Sequence, residues 1–526
     1  MSHIVRRRAQ EQPDELALVD RDRALTWREF ADQLNRAVNA FSVIDLGEAR
    51  RLAVFAENSI EAALAHLAGQ LAGISTVPVS MHFTADEVAY VLRDSGAPLV
   101  CVGPETAERG VEAAQLAEVP LVVGWRSAGV AGVASFEALL AAASPAPFAN
   151  DRPPRAHLHY TSGTTGFPKG TESPPTMFQG GATVEEFVER VAKGPQVDPD
   201  GAVLLVSPMY HTSALSTIRY ALAGMTVVIL GRFDAESVLR AVERYHVTVT
   251  TLVPTHFQRL LALPEETRAR YDLSSLRQIA HTGAACPVPV KRAMIEWVGP
   301  ILFDAYGSTE SGVTNAITSE EWLAHPGSIG KTVPPFELVI VDDDGTPLGA
   351  YEEGRLFFRD TTGRGITYHN RPDATAAAHL EAGVFTLGEI GYVDDDGYVY
   401  LTDRASDMIV SGGVNIYPAE AERVLLDHPG VADVACIGVP DDDMGEQLKA
   451  LVIPTDPSKP PPARELLAFC RDRIAHYKAP RSVDFVVDIG RNAMGKVNKR
   501  VLRAPFWPTG RTIGGVEQNP STEEAR

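Results

Sequence analysis

Cysteine is scarce in this sequence. Cys101, Cys286, Cys436 and Cys470 are the four in 526 residues, with no Cys-x-x-Cys pair and no histidine at metal-ligand spacing. That excludes a disulfide-stapled secreted scaffold and a zinc ribbon, and predicts reduced thiols in a cytoplasmic protein. Positive charge is also short: 48 Lys+Arg stand against 68 Asp+Glu, a net −20 at pH 7. A chain this acidic offers no broad basic face, so nucleic acid is excluded as a bulk partner. A single nucleotide is not excluded, because it needs only a few local donors. No run reaches the ~18 apolar residues of a membrane span. The opening MSHIVRRRAQEQPDE has positive charge but not the apolar stretch of a signal peptide. Arginine greatly outnumbers lysine, so each lysine is conspicuous.

What is present is a large apolar content. With 45% hydrophobic residues over this length, the chain predicts two or more domains. Residues 52–103 alternate strand-like runs (LAVFA, TVPVS, PLVCVG) with helix-like ones. Ile60, Leu64, Leu67 and Leu71 share a helical face after the caps Asn58 and Ser59, and Thr84 with Glu87 forms a capping box. A second alternating stretch covers 202–256, after a proline-bearing break at 150–154. From about Gly330 short β-rich pieces follow one another between Asp-Gly turns, and the run Asp394–Asp396 reads as a turn. The pattern predicts an α/β fold: a large N-terminal domain over 1–403 with two α/β subdomains and a β-rich one. A small α+β C-terminal domain over 404–504 and a disordered tail over 505–526 complete it.

The densest chemical signal is YTSGTTGFPKG, Tyr160–Gly170. Gly163 and Gly166 allow tight turning; Thr161, Ser162, Thr164 and Thr165 supply hydroxyls; Lys169 adds a mobile charge. Such a loop cradles phosphate oxygens through N–H and O–H donors. It is not a Walker loop, because Pro168 precedes the lysine and Gly170 follows it.

This loop resembles the phosphate-binding signature of the adenylate-forming superfamily: acyl-CoA synthetases, peptide-synthetase adenylation domains and beetle luciferases. Further motifs match in the same order from about Leu16 to Arg503. PMYHTSA places His211 where the family has a residue between acyl pocket and ATP. HTGAACP matches the adenine wall with Gly283, Ala284 and Ala285. In DAYGSTESG, Asp304, Ala305, Tyr306, Gly307 and Ser308 are implied around the nucleotide. In the same motif Thr309 is implied at the α-phosphate and Glu310 at Mg²⁺, with Thr165 of the loop as a second metal ligand. Glu389 stands where the family commonly has a ribose-binding Asp, and Arg404 matches an arginine on ribose or phosphate. Ser406 occupies the usual Asp or Lys pivot between two domain orientations. Gly412 and Gly413 match the stretch that lines the pantetheine tunnel, and Lys496 matches the lysine bridging carboxylate and α-phosphate. His211, Phe257, His281 and Tyr306 are implied as the acyl pocket.

The resemblance implies ATP-dependent activation of a carboxylic acid to an acyl-adenylate, then transfer to the thiol of CoA, with ATP, Mg²⁺ and CoA as cofactor and co-substrates. A homodimer is the assembly to test. Peptide-synthetase adenylation domains place an Asp near the position of Thr212 or Ser213; this chain has none there, which argues against an amino-acid substrate. An amine or carrier protein as acceptor, an unusual oxyanion as substrate, and a non-catalytic nucleotide sensor are the competing readings. The acid itself is left open.

Overall fold

The computed structural model describes residues 3–148, 152–161, 168–284, 286–342, 344–404, 407, 409–411, 414–441, 444–474, 476–492 and 495–507. Local signals set many of its elements. Helix Ile60–Leu71 starts where the Ser59 side chain accepts from the Ala62 amide. Helix Ala85–Ser95 carries the full Thr84–Glu87 capping box and ends on Gly96 in the left-handed region. Both caps satisfy amides that have no partner within the helix.

The described strands form four main sheets and one hairpin. The first sheet is parallel, in the order Ser75–Val79, Arg51–Phe55, Leu99–Val102, Leu121–Gly124, Ala134–Ser135. Its middle strands are buried along their length, as expected of a sheet with both faces covered. The second sheet has nine strands, with the parallel set Gln278–His281, Val247–Leu252, Ala202–Leu205 and Thr226–Ile229 near its centre. The chain's first strand, Leu16–Val19, joins this second sheet beside Thr226–Ile229 and not the sheet that follows it in sequence. An antiparallel six-stranded sheet spans Phe336–Val341 to Val399–Arg404. The last sheet pairs Val431–Asp441 with Gly445–Pro454, packed under helices Pro418–Leu426 and Ala463–Arg471. The acidic run is a turn: Asp394 Oδ1 accepts from the Asp396 and Tyr398 amides. No helix among the described residues is long and apolar enough to cross a membrane.

Candidate functional site

The glycine-bearing loop hangs from a two-stranded hairpin, Leu158–Thr161 with Lys169–Glu172, in which Thr161 faces Lys169. Its base is fixed to the first sheet's helices. Tyr160 donates to Asp94 Oδ2 at 2.8 Å, Tyr90 donates to the Pro168 carbonyl at 3.1 Å, and Arg371 approaches Asp94 at 3.4 Å. Ser162, Gly163, Thr164, Thr165 and Gly166 lie outside the described residues.

At the mouth of that hairpin the second motif closes in. Thr161 Oγ1 donates to Glu310 Oε1 at 3.0 Å. Lys169 Nζ sits 5.1 Å from the ring centre of Tyr368. Burial and the nearby Glu310 carboxylate push the Tyr368 phenol above its ordinary range. The Glu310 turn is built by strands Leu302–Ser308 and Gly312–Thr318. Ser308 Oγ accepts from the Glu310 and Ser311 amides at 3.1 and 3.2 Å. Gly307 is required sterically, since a Cβ there would collide with the Gly312 carbonyl. Ala305 and Tyr306 are half-buried on the same strand, Tyr306 against the Phe336–Phe358–Phe385 cluster. Thr309 Oγ1 lies 3.2 Å from Thr212 Oγ1, one residue after His211. Burial, then the positive charge of Lys496, lowers His211 to about 4, so its imidazole is neutral at pH 7.

Lys496 arrives from the C-terminal part of the chain on a braced turn. The Arg491 guanidinium makes two bonds to Asp433, at 2.6 and 2.7 Å, and a third to the Gly495 carbonyl at 2.7 Å. The Lys496 amide donates to Asn492 Oδ1 at 2.9 Å. Gly495, at φ +75°, packs on the far body: a Cβ there would meet Thr255 Cγ2 at 3.1 Å and Ala284 Cβ at 3.9 Å. A planar bidentate pair fixes orientation as well as distance. The motifs signalled neither Arg491, Asp433 nor Thr255.

Gly283 and Ala284, expected at the adenine, are half-buried beside strand Gln278–His281, and Ala285 is outside the described residues. Asp304 holds a partner that its motif does not signal. Lys291, 1% exposed on helix Val288–Val298, donates to Asp304 Oδ2 at 2.9 Å and lies 4.8 Å above the Trp322 ring. A signal existed: Lys291 shares a helical face with the buried Met294 and Ile295. His281 Nε2 stands 3.4 Å from the same oxygen, out of hydrogen-bond alignment. Burial lowers His281 to about 4, so the imidazole is neutral and Lys291 alone is the counter-ion. Burial, with Asp304 adding, pushes the Cys286 thiol up, leaving it unreactive. Phe257 and His281 are fully buried and meet edge to face at 5.3 Å.

Glu389 is buried at the start of strand Glu389–Val393 and is in register with Arg404, which is placed by its backbone. Ser406, Gly412 and Gly413 lie outside the described residues.

A layered α/β body, with a lysine from a smaller C-terminal unit bearing on His211, defines an adenylate-forming scaffold. The chain belongs to the AMP-binding enzyme family: that family's profile matches residues 5–365, and the AMP-binding enzyme C-terminal domain matches 420–496. It is 31% identical over 513 residues to the long-chain-fatty-acid–CoA ligase FadD13 of Mycobacterium tuberculosis, covering 96% of this chain and 98% of that one. It is 33% identical over 518 residues to a feruloyl-CoA synthase of an Amycolatopsis species, covering 95% and 98%. Among solved structures it is similar to the o-succinylbenzoate CoA synthetase MenE of Bacillus subtilis in complex with OSB-AMP. The TM-score there is 0.77 at 28% identity, over 95% of this chain and 98% of that one. These relatives are acyl-CoA ligases acting on chemically different acids.

Proposed function

We propose that this chain is an AMP-forming acyl-CoA ligase that activates a carboxylic acid and passes it to CoA in the cytoplasm. The observation that carries the reading is the position of Lys496. It is borne by a turn packed on Thr255 and Ala284, and its charge bears on His211, beside the Thr212–Thr309 contact. A cation brought there from a separate unit suits a step in which two anions must meet.

The donors around Glu310 are hard oxygens, a carboxylate and the Thr161 hydroxyl, which fit magnesium and not a soft metal. Glu310 and Thr165 would hold the ion, which when bound supplies charge neutralisation on the phosphates. Thr161, Lys169 and the loop hydroxyls bind the β- and γ-phosphates. Tyr306 with Gly283 and Ala284 receives the adenine, and Glu389 and Arg404 the ribose. Thr309 donates to the α-phosphate, and neutral His211 closes the acid side, with Phe257 and His281 backing the pocket. The substrate carboxylate then attacks the α-phosphorus and pyrophosphate leaves. Lys496 offsets the repulsion between the two anions as they approach. Catalysis of this kind is positioning and charge compensation. For the second step the unit over 404–504 rotates about Ser406, withdraws Lys496 and brings Gly412 and Gly413 beside the CoA thiol.

The test separates the half-reactions. Lys496→Ala lowers acid-dependent pyrophosphate exchange by about 10²–10³-fold and leaves thioester formation from supplied acyl-adenylate near wild type. Equal loss of both steps would mean that Lys496 does not serve adenylation in particular. No exchange across a broad acid panel, with ATP still bound, would make the chain a nucleotide-binding protein and not a ligase.

A further inference from the structure

The helix that starts after His211 has one open face. Along helix Thr212–Ile218 and its cap Arg219, Ala214, Leu215, Thr217 and Ile218 are buried, while Thr212, Ser213, Ser216 and Arg219 are partly accessible. Thr212, Ser216 and Arg219 follow an i, i+4, i+7 spacing, which puts them in one row. The row begins at the reaction centre, where Thr212 Oγ1 meets Thr309 Oγ1 at 3.2 Å. It ends behind the same turn. Arg219 Nη2 donates to the Met177 carbonyl at 2.9 Å, and Met177 Cγ lies 2.9 Å from where a Cβ on Gly312 would be. So a polar row leads away from the site of activation and stops at a cation.

No carboxylate among the described residues pairs with Arg219, and its Nε has no hydrogen-bond partner. Its charge is felt by the neighbouring Tyr220 phenol and by the buried imidazoles of His157 and His159, both held neutral. Burial lowers Arg219 itself to about 10, so it stays protonated at pH 7. An enclosed guanidinium facing neutral groups is costly unless something anionic reaches it. One carbonyl dipole does not neutralise it, and a fork of five donors is suited to a carboxylate or a comparable oxyanion.

We propose that Arg219 is a specificity-determining residue that receives a second anionic group of the substrate, so that the preferred acid is a dicarboxylate or a similarly two-headed anion. This inference rests on the acyl-CoA ligase reading and narrows its substrate class. From Thr212 to Arg219 the helix rises roughly 10 Å. Because the arginine side chain is long, the two anionic groups stand roughly 6–10 Å apart. Linear diacids of five to nine carbons and aryl acids with a distal carboxylate span that interval. The first carboxylate is consumed in the anhydride with AMP; the second stays ionised on Arg219 and takes no part in bond making.

The experiment is pyrophosphate exchange on the full chain with each C5–C9 diacid beside its monoacid of equal length. Wild type is expected to show kcat/KM for the best diacid about 10- to 100-fold above the matching monoacid, the worth of a charge-assisted hydrogen bond. Arg219→Met is expected to raise KM for the diacid and improve the monoacid, inverting that ratio, with Arg219→Lys intermediate. Equal or better turnover of monoacids by wild type overturns the proposal, whether or not Arg219→Met folds. Equal loss on both acid classes in a folded Arg219→Met overturns it too, since an anchor for Met177 alone would act that way. Exchange with monoacids only sinks this inference and leaves the ligase reading intact; exchange with no acid sinks both.

Discussion

Two enclosed cations, Lys291 and Arg219, are held in opposite ways. Lys291 is closed into a 2.9 Å pair with Asp304 and roofed by Trp322. Arg219, by contrast, has one backbone carbonyl as hydrogen-bond partner, with the Tyr220 phenol and two neutral imidazoles near its charge. The first arrangement is electrostatically complete without a ligand; the second is not. The difference separates a charge that shapes a wall from a charge that waits for an occupant. Three perturbations bear on it, beginning with the largest.

The Arg219 side is bordered by a line of buried imidazoles. His66 Nδ1 and His157 Nδ1 both meet Thr76 Oγ1, at 2.8 and 2.6 Å, and His159 Nε2 meets Ser173 Oγ at 3.0 Å. Burial lowers His66 and His159 to about 3 and His157 well below its ordinary value. A histidine depressed in the folded state binds its proton more readily when unfolded. Its contribution is therefore complete above pH 6.5 and is lost as pH falls from 6.5 toward 3. A histidine that titrates in this way contributes a slope of up to about 1.4 kcal/mol per pH unit below pH 6.5. Urea midpoints should stay level between pH 7.5 and 6.5 and fall progressively from pH 6.5 to 5. Arg219→Met, by removing a positive charge beside His157 and His159, should shift the acid transition to lower pH. An unchanged acid limb in that variant would mean Arg219 does not set their field.

Next in size is the paired cation. Lys291→Met leaves the Asp304 carboxylate enclosed without a counter-ion, and loss of one member of a buried pair costs about 3–5 kcal/mol. Lys291→Met with Asp304→Leu should recover most of that loss, because the charges leave together. Chemical denaturation of the single and double variants reads both values. A double variant no more stable than the single one would show that packing against Trp322, and not the pair, is what Lys291 provides.

How much of this was legible in the sequence divides along the same line. Elements with local signals were readable: Ser59 and the Thr84–Glu87 box start the expected helices. The placement of Leu16–Val19 was not, because Leu18 pairs with Val227, a contact no local pattern encodes. In the site, Thr161, Thr309 and Glu310 could be named because each belongs to a short contiguous motif. What holds them could not. Arg491 with Asp433, Thr255 under Gly495, and Lys291 with Asp304 are pairs made by packing between distant segments. Arg219 was invisible for a related reason. A lone arginine eight residues after His211 says nothing until burial shows which face of the preceding helix is open and that no acid among the described residues answers it.

The smallest expected effect is the most discriminating. Arg219→Met without substrate removes a single hydrogen bond, to the Met177 carbonyl, of about 1 kcal/mol. It also removes an enclosed charge with no ionic partner, whose burial opposes folding. The two changes have opposite signs, so the apo protein should stay within about 1 kcal/mol of wild type. That stands against the several kcal/mol lost on breaking the Lys291 pair. The contrast should reappear with ligand: a bound diacid raises the wild-type melting temperature and fails to raise that of Arg219→Met. If instead the apo Arg219→Met protein is destabilised as heavily as Lys291→Met, both cations belong to the scaffold. The guanidinium would then be a clamp on the Met177 turn, and the open face of its helix would have to be matched to an uncharged acid.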